Sequence, residues 1–415
     1  MDCWNPSIIA GLGFFTLVNC KVSVSPSLFS AFLPLLPLTA AVFIGFFAMG
    51  MALPVVPRHV VGPLGMGTVM VGVVMASQYA TSILLGRGWS GMVVDTRGPQ
   101  RAMSMGLMAT ACVGLVYFLS LAFVAQPDVS LAVLLAARLL TGVAEPFIIT
   151  SALTWGILRL GPAHAGKVIG WVGMALFGAY GLGAPAGAWV YARFGFAGIA
   201  AATVLVPLAA LAIAVRIRGE VPNAGVRPPF YRVLGIVRLP GLALTLCSLG
   251  YAAINAFVVL LFLQRGWGSA ALAFTSMGAG FVLARLVAGH LPDLLGGARV
   301  AAVAVAVEAL GQLLIWGAPG ALLACVGAAL TGAGYALAFQ GFGVESVRRA
   351  PPQSRGAAMG GYVVFQDFSM ALAGPLGGWL AVHSGLGAVF LAGAAAALAS
   401  AALAVWMVRT PVTTV

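Results

Sequence analysis

The chain has 415 residues, of which 61% are hydrophobic and only 7% charged, against roughly 45–50% and about 25% in a soluble domain. A bilayer span takes about 20 apolar residues, so a mean hydropathy of +1.06 leaves room for roughly a dozen spans and excludes a large extramembrane enzyme or DNA-binding head. The net charge of +12 is dispersed through short connections, which argues against nucleic acid as a partner and points to orientation in a lipid bilayer.

In chain order the apolar runs predict helices near 29–53, 67–86, 102–124, 129–154, 167–190 and 195–215, then 239–263, 268–288, 300–317, 319–342, 356–381 and 386–408. The expected fold is an all-α integral membrane protein with twelve transmembrane helices in two six-helix pseudo-symmetric bundles, 28–215 and 239–409. Between them, 216–238 carries Glu220, Pro222, Asn223, Pro228 and Pro229 and reads as a cytoplasmic linker, and 410–415 as a tail. Residues 1–27 are an extension whose apolar stretch, 7–19, is too short to span and lacks the preceding basic residue of a signal peptide.

With both termini in the cytoplasm, 17 of the 21 Lys and Arg fall in or beside inner segments, from Lys21 to Arg409 and including Arg227 and Arg232. Only Arg58, Arg193 and Arg265 fall outside, and Arg138 lies within a span. That asymmetry predicts the topology. Cys3, Cys20, Cys112, Cys247 and Cys325 have no CxxC or His/Cys spacing, and His59, His164, His290 and His383 are scattered. No catalytic residues, metal site or cofactor are expected.

The chain repeats itself. Arg87, Gly91, Asp95, Gly98 and Arg101 recur as Arg285, Gly289, Asp293, Gly296 and Arg299, each 198 positions on. Pro162, Gly166, Gly170, Pro185, Gly187 and Trp189 recur as Pro352, Gly356, Gly360, Pro375, Gly377 and Trp379 at an offset of 190. Two parallel halves place a substrate site between them, near mid-membrane.

The duplicated G-x-x-x-D-x-x-G-x-x-R pattern resembles the signature loop of the major facilitator superfamily. Arg138 with Gly142 is similar to that superfamily's helix-4 arginine motif. Gly183, Pro185 and Gly187 resemble its antiporter G-P motif, with Ala184 where glycine is usual, and a fuller form, Gly374-Pro375, stands in helix 11. More narrowly, Leu53-Pro54 with Pro57, Ser77-Gln78-Tyr79, Trp155-Gly156 and Gln366-Asp367 resemble a YhhS/YfcJ-like subfamily of bacterial efflux proteins. The resemblance implies a major facilitator fold, a bacterial inner membrane and a bias toward export.

An ionisable side chain inside a span costs about 2.5 kcal/mol or more, so each needs a reason. Arg138 and Glu145 on helix 4, Glu308 on helix 9 and Asp367 on helix 11 qualify. Arg138, Thr141, Gly142 and Glu145 share a helix face, yet seven residues at 1.5 Å part the Arg and Glu backbones by roughly 10 Å, too far to assume a salt bridge. Glu145, Asp367 and Arg138 are the proton-coupling candidates, since a carboxyl removed from water can carry a proton beside a fixed positive charge. A static polar pair that packs the bundle is the alternative. Glu308 reads as a structural group toward helix 8 or 10.

Gln78, Tyr79, Trp155, Asn255, Gln340 and Gln366 are candidates for the substrate cavity, and each alone reads equally well as packing. Arg87, Gly91, Asp95, Gly98 and Arg101, with Arg285, Gly289, Asp293, Gly296 and Arg299, are gating residues, expected to tie helices 2, 3 and 11, or 8, 9 and 5, in one conformation and release them in another. The stretch Gly161 to Val168 nearly spells a phosphate-binding loop but lacks the hydroxyl and the preceding strand, so it reads as a connection. Function is therefore expected to be proton-coupled export of a small organic solute by a monomer. A symporter or uniporter, or a membrane sensor or scaffold that transports nothing, are the alternatives.

Overall fold

The structure, a computed structural model, describes residues 35–161, 164–219, 230–351 and 355–410. The extension 1–27, Lys21, Glu220 to Pro229 of the linker and the Pro162/Pro352 pair lie outside them. In lipid every backbone N–H and C=O must be satisfied within the segment, which leaves a chain this apolar the helix as its form.

Ten helices among the described residues are long and apolar enough to cross a membrane. They include α1 (Leu36–Val61), α2 (Thr68–Arg97), α3 (Pro99–Ala122) and α4 (Pro127–Leu160). The next, Lys167–Ala214, is two helices, because Gly195 at φ +60° and ψ −159° leaves the helical region and parts α5 (165–194) from α6 (196–214). Then come α7 (Phe230–Arg265), α8 (Ala271–Ala288), α9 (Gly297–Trp316) and α10 (Ala321–Arg349). With α11 (Arg355–Ser384) and α12 (Leu386–Arg409), every expected span has its helix. Leu84, Val287 and Leu322 stand 73–81% exposed on the outer surface, where lipid rather than water is the neighbour.

Several helices run further than hydropathy predicts. Helix α1 continues past its expected end at 53 because Pro54 and Pro57 occupy the start of a new helical segment, Val55–Val61, where proline is tolerated. Helix α7 begins at Phe230, inside the stretch expected as linker. The expected signature loop is corrected too. Arg87–Arg97 is helix, the polar end of α2, and the turn is made by Gly98 at φ +87°. Its repeat copy closes through a short helix, Leu291–Leu295, onto Gly296 at φ +93°. Only the second glycine of each signature needs a backbone that other residues avoid.

Helices α1–α6 pack together, as do α7–α12, and the halves meet chiefly along α2 with α11 and α5 with α8. Glycine sets both seams. A Cβ at Gly72 or Gly374 would strike the other's carbonyl oxygen, and one at Gly278 would stand 2.8 Å from the Gly181 Cα. Thr275 Oγ1 donates to the Gly181 carbonyl at 2.8 Å, and Phe177 stacks on Phe281 at 3.7 Å. These contacts lie toward the end of the bundle where α2 begins, while Arg87–Arg97, apart from the Arg87 side chain, packs chiefly on α3 and α4 of its own half.

Candidate functional site

Three helices bring the buried charges together. On α4, Gly142 lets the backbone press on α2: a Cβ there would coincide with the Gln78 carbonyl oxygen. One turn on, Glu145 Oε2 accepts a hydrogen bond from Gln78 Nε2 at 3.4 Å. On α2, Ser82–Gly86 forms a π-turn just before Arg87. Residues five apart on an α-helix point about 140° apart, whereas i→i+5 bonding brings them close to one face. Ser82 and Arg87 consequently reach the same carboxylate.

That carboxylate is Asp367 on α11, only 4% exposed. Arg87 Nη2 donates to Asp367 Oδ1 at 2.8 Å, Arg87 Nε pairs with Oδ2, and Ser82 Oγ donates to Oδ2 at 2.8 Å. Glu145 is half-buried within electrostatic reach of Asp367, Arg87 and Arg138. Tyr79, Tyr180 and Tyr251 lie within electrostatic reach of it.

Arg138, 4% exposed, makes no ion pair among the described residues. Its Nη2 lies 4.0 Å from the Met75 sulfur, and its Nε has no hydrogen-bond partner. It lines a cavity inside the N-terminal half with Gln78, Thr110, Thr141, Tyr117 and Tyr180, roomy enough for about one water molecule.

Several of the other expected site residues have partners of their own. Trp155 is fully enclosed, and its Nε1 donates to the Arg218 carbonyl at 3.2 Å, pinning the end of α4 to the chain leaving α6. Gln340 belongs with the second signature: it accepts from Arg285 Nη1 at 3.0 Å and donates to the Gly289 carbonyl at 2.6 Å. Asn255 Nδ2 bonds back to the Tyr251 carbonyl at 3.0 Å. Gln366, beside Asp367 in sequence, is half-buried. Glu308 lies wholly inside the C-terminal half.

Of the other signature positions, Gly91 is buried, Asp95 half-buried, and Arg101, Asp293 and Arg299 exposed. The sequence reading put Arg87 with the gating residues and not with the charges it meets. It also passed over Glu345, 1% exposed, which pairs with Arg349 at 3.0 Å and Arg348 at 3.7 Å. Their i,i+3 and i,i+4 spacing was the available signal. Gln100 was missed as well, and its side chain closes the end of α6 by donating to the Ile217 carbonyl at 2.7 Å.

Twelve helices in two halves with buried charges at the seam define a multi-pass membrane carrier. Residues 38–273 and 241–415 match the Major Facilitator Superfamily, and the chain belongs to that family of transporters, which are not enzymes. An uncharacterized MFS-type transporter of Salmonella typhimurium is 39% identical over 380 residues, covering 92% of this chain and 98% of that one. Among solved structures, a D-xylose-proton symporter superimposes with a TM-score of 0.74 at 14% identity, over 91% of this chain and 97% of that one. The nucleoside transporter NupG does so at 0.71 and 15%, over 90% and 99%. At that identity the two structures show the fold alone.

Proposed function

We propose that this chain is a proton-coupled antiporter of the YhhS/YfcJ-like efflux type, exporting a small organic solute across a bacterial inner membrane by alternating access. Both termini and the Gly98 end of α2 face the cytoplasm in this reading, as the Lys/Arg asymmetry favours. The halves, 28–215 and 239–409, then rock about the seams while the linker 216–238 joins them.

The observation that carries the reading is the Arg87–Asp367 pair across the α2–α11 seam, with Glu145 in reach of both. A proton on Asp367 cancels half of the pair and removes the charge that Arg87 holds. The seam then loses its directional bond, and the outer end can open. Glu145, held by Gln78 and facing Arg138, is the second carboxyl that exchanges a proton against solute. Tyr79, Gln366 and Asn255 supply hydrogen-bonding walls near it. The paired signatures, through Asp95 and Asp293, latch the cytoplasmic ends in the opposite state.

The test uses everted membrane vesicles with an imposed pH gradient and a panel of fluorescent lipophilic dyes. Wild type accumulates a transported dye against its gradient, while Asp367→Asn and Glu145→Gln lose accumulation and keep downhill exchange. Undiminished accumulation in both variants overturns the coupling assignment. Accumulation only when the gradient is reversed assigns a symporter.

A further inference from the structure

Glu308 lies near the middle of α9 and is 0% exposed. Neither carboxyl oxygen has a hydrogen-bond partner. No charged side chain acts on it among the described residues, so this is a second buried carboxyl outside the central group.

Helix α9 packs against α7, α10 and α12, and each presents groups toward this carboxyl. From α7, the Cys247 thiol is within electrostatic reach and Gly250 lies against the Glu308 carboxyl. From α10, Thr331 Oγ1 accepts from Gln312 Nε2 at 3.1 Å. Gln312, one turn along α9, leaves its Oε1 without a donor. From α12 the neighbour is Gly393. No Lys, Arg or His is among these groups.

The site is also tight. A Cβ at Gly250 would stand 2.8 Å from Glu308 Oε1, one at Gly334 2.8 Å from the Glu308 Cβ, and one at Gly393 2.9 Å from Gln312 Oε1. A bare carboxylate there would have no counter-charge and no donor, a costly state in an apolar interior. A metal cation needs a shell of oxygens around its own volume. A proton needs neither room nor shell. It also turns the carboxyl into a donor, and Gln312 Oε1, against the same Gly250, is open to accept.

We propose that Glu308 is a proton-binding site of the C-terminal half, separate from the Arg87–Asp367 group, whose proton is held while α7 and α10 close on α9. This deepens the proton-coupled reading by giving each half its own proton site.

The test is infrared spectroscopy of the full-length protein in lipid nanodiscs at neutral pH, comparing wild type, Glu308→Gln and Asp367→Asn. The expected result is a protonated-carboxyl band in wild type that disappears in Glu308→Gln and persists in Asp367→Asn. If Glu308→Gln does not fold, Glu308→Asp keeps the carboxyl and is expected to shift the same band. A band unchanged by every Glu308 substitution overturns the proposal, as does one bleached by exchanging potassium for sodium, which assigns a metal cation instead. The Asp367→Asn sample reports on the central group alone, so failure of either assignment leaves the other standing.

Discussion

Arg87 and Asp367, 280 residues apart, form a two-point ion pair across the halves, and the internal repeat contains it only once. At the offset of 198 Arg87 corresponds to Arg285, which donates to Gln340 of its own half. At the offset of 190 Asp367 corresponds to Phe177, which stacks on Phe281 across the other seam. One seam is held by charge and the other by ring packing. A proton can weaken the first and leaves the second as it was.

Truncating either partner of that pair leaves a buried charge uncompensated. We expect Arg87→Ala or Asp367→Ala to destabilise by about 3 kcal/mol. The double variant should lose less than the sum, with a coupling of about 1–3 kcal/mol. Thermal unfolding of the four proteins in one detergent measures the cycle, and strict additivity would show that the pair contributes nothing.

Gly142→Val should abolish the folded protein or cost more than about 3 kcal/mol, because the new side chain meets the Gln78 backbone rather than a side chain that can move. Gly88→Ala meets nothing within 4 Å and should stabilise α2 by about 0.5–1 kcal/mol. Expression level and melting temperature of the two variants separate close approach from mere glycine content.

Gly98→Ala and Gly296→Ala should each cost about 1–3 kcal/mol, since φ near +90° with ψ at 158° or 134° is a region that side chains disfavour. Equal losses from both would confirm that the two signatures use their second glycine alike. A melting temperature unchanged in either variant would show that the turn relaxes without cost.

Trp155→Phe removes the bond to the Arg218 carbonyl while keeping most of the packing. Stability should fall by about 1 kcal/mol, with the concentration giving half-maximal transport unchanged. A several-fold change in that concentration at constant maximal rate would return Trp155 to the substrate site.

The number of helices, the duplication and the family motifs were legible because hydropathy is a local quantity and a repeated spacing needs no coordinates to be seen. The interior acids were legible for the same reason, as rare charges in apolar runs. Their partners were not. Arg87 looked like one more residue of a loop until α2 proved helical to Arg97 and its π-turn rotated Arg87 onto the face of Ser82. Trp155 and Gln340 fitted a cavity by residue type alone, and the packing of neighbouring helices sent both to connections instead.

What the sequence determined by itself is the helical membrane architecture, since apolar length acts one segment at a time. The tertiary structure decided which charges meet. That outcome depends on helix phase and on how closely backbones approach at Gly72, Gly142 and Gly374, and neither quantity exists until the helices are packed.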